Sequence, residues 1–124
     1  MKKPRILTVD DEVSFTDLLS QYFEPRGYDI VVASNGNEGL ELFKNGSYDV
    51  VLLDLKMGGL NGDEVMREMQ NIQSNAKIIF ITAYNDTGKT EEGLLQEGAY
   101  AFVEKPVTSL KDLEATINKA AESG

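Results

Sequence analysis

Val50-Val51-Leu52-Leu53-Asp54 decides the reading of this chain: four apolar residues, enough for one strand and too few for a helix, stop at an acid. The same arrangement recurs on either side. Ile6-Leu7-Thr8-Val9 runs into Asp10-Asp11. Ile78-Ile79-Phe80-Ile81 runs into Thr82, and Ala101-Phe102-Val103 runs, through Glu104, into Lys105-Pro106. Segments with helical spacing lie between them. Short apolar runs alternating with helical patterns read as strands of a parallel sheet buried on both faces. Their carboxyl ends then share one rim that carries three carboxylates, a hydroxyl and an ammonium. Open α/β sheets place their sites on that rim.

Working outward, strand one is expected over residues 5–10, and the first helix carries Phe15, Leu18, Leu19, Tyr22 and Phe23 on one face. Pro25-Arg26-Gly27 stops it. Strand two, residues 28–33, begins with polar residues and reads as a sheet edge. Leu40 and Phe43 mark a second helix ending near Asn45-Gly46, and strand three covers residues 49–54. A loop with Gly58-Gly59 leads to a third helix with Val65, Met66, Met69 and Ile72 on one stripe. Strand four is expected over residues 77–82. The fourth helix, residues 86–96, is the weakest pattern, with Gly88 and Gly93 and a lone Leu94-Leu95 pair. Strand five spans residues 101–104. Ser109-Leu110-Lys111-Asp112 reads as a capping box for a fifth helix that buries Leu110, Leu113 and Ile117. The fold class is therefore α/β. Five βα units build a doubly wound five-stranded parallel sheet, order 2-1-3-4-5, between helices on both faces. The chain reads as one domain, residues 1–124.

Composition narrows the function. With 41% hydrophobic and 27% charged residues the chain is an ordinary globular domain. It has no cysteine, so thiolate and disulfide chemistry are excluded, and no histidine, which removes the usual general base. The net charge of −9 repels DNA and anionic membranes, so neither direct nucleic-acid binding nor membrane binding is expected. Met1-Lys2-Lys3-Pro4 leads into a strand and not into a signal peptide, which suits a cytoplasmic protein. Gly88-Lys89-Thr90 imitates the end of a P-loop, but the motif's first glycine would fall on Ala83. The glycosylation sequons at Asn45 and Asn85 mean little without a secretory signal.

Each rim residue has a bland reading. Asp10, Asp11 and Asp54 suit solvated turns, Thr82 suits a strand, and Lys105 suits a surface. Convergence favours a site. Strands one and three are neighbours in such a sheet, so the three acids gather, repel and raise one another's pKa unless a cation neutralises them. A few hard oxygen ligands favour Mg²⁺. Asp11 and Asp54 are the preferred direct ligands, with Asp10 holding a metal-bound water. Asp54 then reads as a nucleophile toward a phosphoryl group, which Mg²⁺ and Lys105 neutralise and Thr82 hydrogen-bonds. Lys105-Pro106, at a tight strand end, is a candidate cis peptide. Lys56 and Tyr84 each lie two residues past a site residue and are expected to tune how long the phosphoryl group survives.

These residues resemble the response-regulator receiver domain of two-component signalling, a CheY-like, flavodoxin-like fold, over nearly the whole chain. The resemblance rests on Val9-Asp10-Asp11-Glu12, Leu52-Leu53-Asp54-Leu55-Lys56-Met57, Leu60-Asn61-Gly62, Ile81-Thr82-Ala83 and Lys105-Pro106. It implies a signalling receiver and not a turnover enzyme, with Asp54 taking phosphate from a histidine kinase or phosphotransfer protein. It implies Mg²⁺, with Mn²⁺ as a substitute, on Asp11, Asp54 and the backbone carbonyl of Lys56. It also implies that Thr82 and an aromatic, Phe102, switch a face of helix four, strand five and helix five toward a downstream effector. Phe102 lacks the hydroxyl of the more usual Tyr, so such a switch rests on ring packing. Gly58 stands where the family commonly has proline. The stretch after Gly98-Ala99 lacks the double-acidic signature of winged-helix regulators, so the resemblance does not carry over their symmetric dimer.

Three rivals share parts of this pattern. A flavodoxin-like FMN binder needs a Ser/Thr/Gly-rich phosphate loop after strand one, where this chain has Asp10-Asp11-Glu12. A haloacid-dehalogenase-type phosphatase needs a second Asp two residues past the nucleophile, where Lys56 stands. A degenerate receiver, acting as an interaction module alone, would not need the complete set of Asp, Thr and Lys.

Overall fold

The computed structural model describes residues 3–83 and 91–123. Five strands form one all-parallel sheet in the order β2-β1-β3-β4-β5. They are β1 (Arg5–Val9), β2 (Asp29–Ala33), β3 (Val50–Leu53), β4 (Ile78–Thr82) and β5 (Ala101–Glu104). The helices are α1 (Val13–Phe23), α2 (Gly36–Asn45), α3 (Gly62–Ile72), α4 (Glu91–Gln96) and α5 (Leu110–Glu122). Each strand matches its expected position to within one residue at either end. Residues 86–90, where the sequence pattern begins the fourth helix, lie outside the described residues.

The period of two along each strand divides the core. Leu7, Val9, Val51, Leu53, Ile78 and Phe80 pack with residues of α2, α3 and α4, including Phe43, Met66 and Leu94. Ile6, Val50, Leu52, Ile79 and Ile81 face the opposite way, onto Phe15, Leu19 and Phe23 of α1 and Leu113 and Ile117 of α5. Right-handed crossovers produce this assignment of two helices to one face and three to the other. The central strands β3 and β4 are buried throughout, whereas the two edge strands are only partly covered.

Two expected core residues are not core. Leu18 of α1 and Ile72 of α3 are each 45% exposed. Both share a helical stripe with buried neighbours but lie on its rim, beyond the width that the sheet covers. Leu110 is half-buried and Leu95 is exposed, so α4 sends inward only Leu94 of its leucine pair. Helix α1 ends as expected. A 3₁₀ turn over Glu24–Arg26 leads to Gly27 at φ 94°, a conformation that favours glycine. At the start of α5 the Ser109 hydroxyl accepts the Asp112 N–H at 3.1 Å. The Lys105-Pro106 bond is cis.

A polar clasp closes the sheet end opposite the acids. Glu114 of α5 is buried and accepts from Tyr22 at 2.8 Å, Tyr28 at 2.7 Å and the Arg26 guanidinium at 2.9 Å. The Tyr28 ring meets Phe23 edge-on at 5.0 Å between centroids. α5 is thereby tied to the end of α1 and the start of β2. Burial pushes the Glu114 carboxyl upward, but the hydrogen bonds from Tyr28, Arg26 and Tyr22 outweigh it, and its pKa lies below the ordinary value. A carboxylate with a depressed folded pKa stabilises above its unfolded pKa and loses that contribution as pH falls through the folded one. Glu114→Gln is therefore expected to cost about 1–3 kcal/mol at neutral pH. Denaturant melts of both proteins should show the deficit shrinking as pH falls below 4.5, the ordinary value.

Candidate functional site

The carboxyl ends of β1, β3, β4 and β5 carry the residues singled out from sequence. Backbone bonds extend the ladders past the strands and hold the rim in register. The Asp10 N–H donates to Ala33 at 3.0 Å, Asp54 N–H to Val9 at 3.0 Å and Lys105 N–H to Thr82 at 2.8 Å. Because β1 pairs with β3 and Val9 lies opposite Leu53, Asp10 and Asp54 emerge side by side. Oxygens of Asp10, Asp11 and Asp54 lie within 4.8 Å of one another. Asp10 and Asp54 are buried, at 3% and 7% exposure, while Asp11 opens to solvent.

Burial raises the pKa of Asp10, against the opposing Lys105 hydrogen bond. Burial, followed by repulsion from Asp10, raises that of Asp54. The Asp54 Oδ1 accepts the Lys56 N–H at 3.3 Å, and the buried Thr82 hydroxyl hydrogen-bonds the same carboxylate. Lys105 has its side chain 9% exposed and places Nζ 2.9 Å from Asp10 and 4.0 Å from Asp54. Burial alone would lower the Lys105 pKa, but its hydrogen bonds to Glu12 and Asp10 raise it. A cleft of about 300 Å³ opens over this group, lined by Asp11, Asp54, Lys56, Thr82 and Lys105 among others.

The donor set fits a hard divalent cation. It consists of clustered carboxylate oxygens with no nitrogen or sulfur ligand, and one ammonium leaves it anionic. Both Asp10 oxygens have protein partners, because Oδ2 accepts from Lys105 and Oδ1 accepts the Glu12 N–H at 2.9 Å. Asp11 opens to solvent and Asp54 lines the cleft, so both present oxygens that a cation could reach. The remaining space faces Lys105 and Thr82, where a small tetrahedral anion next to Asp54 would be bonded from two sides.

Sequence reading missed three contributors. Glu12 reaches Lys105 at 2.9 Å, and the Phe15 ring lies 4.4 Å from the same ammonium. Gly62 lets α3 start directly against the site strand. A Cβ there would lie 2.2 Å from the Asp54 carbonyl oxygen, and the Gly62 N–H donates to Leu55 at 2.9 Å. The glycine of Leu60-Asn61-Gly62 was the available signal. Phe102 is half-buried on β5 opposite Phe80 and packs on the α3/α4 side of the core, short of the rim. Tyr84 lies outside the described residues.

Comparison with known proteins agrees with this geometry. The family model of the response regulator receiver domain matches residues 6–118. The sporulation initiation phosphotransferase F of Bacillus subtilis is 34% identical over 106 residues, covering 86% of this chain and 85% of that protein. The uncharacterized transcriptional regulatory protein YkoG of the same organism is 36% identical over 97% of this chain. This chain spans about half, 52%, of that longer regulator. Among solved structures, a response regulator receiver domain from Clostridium thermocellum superposes with a TM-score of 0.86 at 33% identity, covering 94% of this chain and 93% of that one. The response regulator TrrA from Thermotoga maritima, in complex with Mg²⁺ and BeF, gives 0.82 at 38% identity, covering 97% and 99%. With a matching model over nearly its full length, and with the acids, threonine and lysine of the motifs gathered on one rim, this chain belongs to the response regulator receiver domain family.

Proposed function

We propose that Asp54 is the phosphoacceptor of a two-component phosphorelay. One observation carries the reading: the buried Asp54 carboxylate shares a cleft with a clustered acid pair and with two groups able to bond a phosphoryl oxygen, Thr82 and Lys105. Asp54 attacks the phosphorus of a phosphohistidine. The new O–P bond forms as the N–P bond breaks, and the imidazole nitrogen leaves with the bonding pair. Asp11, Asp54 and the Lys56 carbonyl would hold Mg²⁺, with Asp10 bound through water, and the ion supplies charge neutralisation for the incoming phosphoryl oxygens. Lys105 neutralises a further oxygen and Thr82 donates to another. Donor partners are a histidine kinase or phosphotransfer protein. The cytoplasm is the compartment where they would meet it, and no described helix is long and apolar enough to cross a membrane.

The output reading follows from the same site. Drawing the Thr82 hydroxyl toward a phosphoryl group frees space at the end of β4. Phe102 lies on the neighbouring strand and is only partly covered. Its ring can therefore repack and alter the α4, β5 and α5 face presented to an effector. Lys56 lines the cleft and, with Tyr84, is proposed to govern access of the hydrolytic water.

Three outcomes test these statements. Acetyl phosphate with Mg²⁺ should add one phosphoryl group, and Asp54→Asn should abolish it; by mass spectrometry, persistent labelling would reject Asp54. The same variant should stabilise the metal-free protein by about 1–3 kcal/mol at neutral pH. The sign follows from the raised folded pKa: the ionised carboxylate destabilises above it, so the gain should shrink as pH falls through the folded pKa and be gone below 3.8, the ordinary value. Mg²⁺ should raise the wild-type melting temperature, as a ligand of the native state alone does.

Thr82→Ala should leave phosphorylation of Asp54 largely intact while suppressing the amide shifts that phosphorylation produces in β5 and α5. Unchanged shifts would break the proposed coupling. Tyr84→Ala should shorten the half-life of the acyl phosphate, and a half-life equal to or longer than wild type would refute the steric role.

A further inference from the structure

We propose that Glu12 is a positioning residue that holds the Lys105 ammonium back from Asp54 until a phosphoryl group competes for it; this rests on the phosphoacceptor reading above. Lys105 Nζ has two carboxylate partners at 2.9 Å, Asp10 and Glu12, and stands 4.0 Å from Asp54. The Phe15 ring, 4.4 Å away, flanks the same ammonium. The lysine is thus engaged on the α1 side of the cleft and stands roughly 1 Å beyond ordinary hydrogen-bond distance from Asp54 Oδ2.

The Glu12 backbone starts α1 by accepting the Phe15 and Thr16 N–H groups, which leaves its carboxylate available to Lys105. Glu12 occupies the position before α1, where a Ser, Asp or Asn would cap the helix, yet its side chain makes no capping bond. Its own N–H is held by Asp10 Oδ1 at 2.9 Å, which turns the backbone so that the carboxylate points back over the rim. The two Lys105 partners differ in how firmly they grip. Asp10 is 3% exposed at its side chain and fixed at both oxygens, whereas Glu12 is 53% exposed. The Glu12 contact is therefore the one that can open. Glu12 and Lys105 also line both the site cleft and a larger neighbouring cleft of about 570 Å³ formed with Phe15, Leu18, Pro106 and Val107. A change in the Glu12–Lys105 pair is thus sensed in both.

Two variants separate this role from bulk charge. Glu12→Gln removes the charge. Glu12→Asp keeps it but is one methylene too short for the 2.9 Å contact. With saturating Mg²⁺, both should bind beryllofluoride, a phosphoryl stand-in, roughly 2- to 5-fold more tightly than wild type, as expected for loss of a half-exposed ion pair. If Glu12 acts only as a nearby negative charge, Glu12→Asp will match wild type, and the proposal falls. It falls equally if Glu12→Gln leaves the affinity unchanged.

The second readout needs no metal. The ¹⁵N–¹H signal of the Lys105 ammonium in the metal-free protein should be resolved in wild type and broadened by water exchange in both variants. A signal equally sharp in all three proteins overturns the positioning role. Should wild type itself fail to bind beryllofluoride, the phosphoacceptor reading fails, and the ammonium signal still decides the Glu12–Lys105 contact.

Discussion

Two buried carboxylates that cannot move apart set the terms for the rest of this structure. The parallel pairing of β1 with β3 brings Asp10 and Asp54 out side by side. The ladder bonds beyond each strand, from Asp10 to Ala33 and from Asp54 to Val9, fix their backbones. Both acids are buried, and both have raised pKa values, led by burial. Several neighbours lower that cost. Lys105 is drawn in from β5, Thr82 and the Lys56 N–H bond Asp54, and the Glu12 N–H bonds Asp10. One ammonium does not balance the surrounding acids. The residual charge suits a divalent cation, and the proposed phosphoryl chemistry is built on that.

The scaffold keeps that strain local. The sheet is sealed on both faces by helices, and β3 and β4 are buried along their whole length. At the far end, the Glu114 clasp ties α5 to α1 and β2. A displacement at Thr82 therefore finds little give in the centre of the sheet. The looser neighbour is β5, an edge strand with every residue only partly covered or exposed. In the proposed switch, this asymmetry would direct a change at the site toward β5 and the helices beside it. α5 borders that strand while its Glu114 stays anchored.

The alternation of apolar runs and helical patterns made the fold legible, because each buried parallel strand is short, apolar and closed by a polar residue. Asp10, Asp11, Asp54, Thr82 and Lys105 were readable for the same reason: strand ends are the one place where such a sheet can display chemistry. The pattern was less informative about width. Leu18 and Ile72 carry the helical spacing of core residues yet remain exposed, since spacing states which side of a helix faces inward and not how far the sheet extends beneath it. Glu12 was hidden by its setting in an acidic run, where a third carboxylate looks like solvated charge.

The sequence by itself determined the strands, their order of use and the residues at their ends, because those depend on local periodicity and on the few crossovers that parallel strands permit. Only the tertiary structure decided which charges pair. Lys105 meets Glu12 across 93 positions of the chain, and Arg26 meets Glu114 across 88. No local pattern encodes either contact. Each arises because the sheet brings distant strand and helix ends together, one at the acidic rim and one at the opposite end.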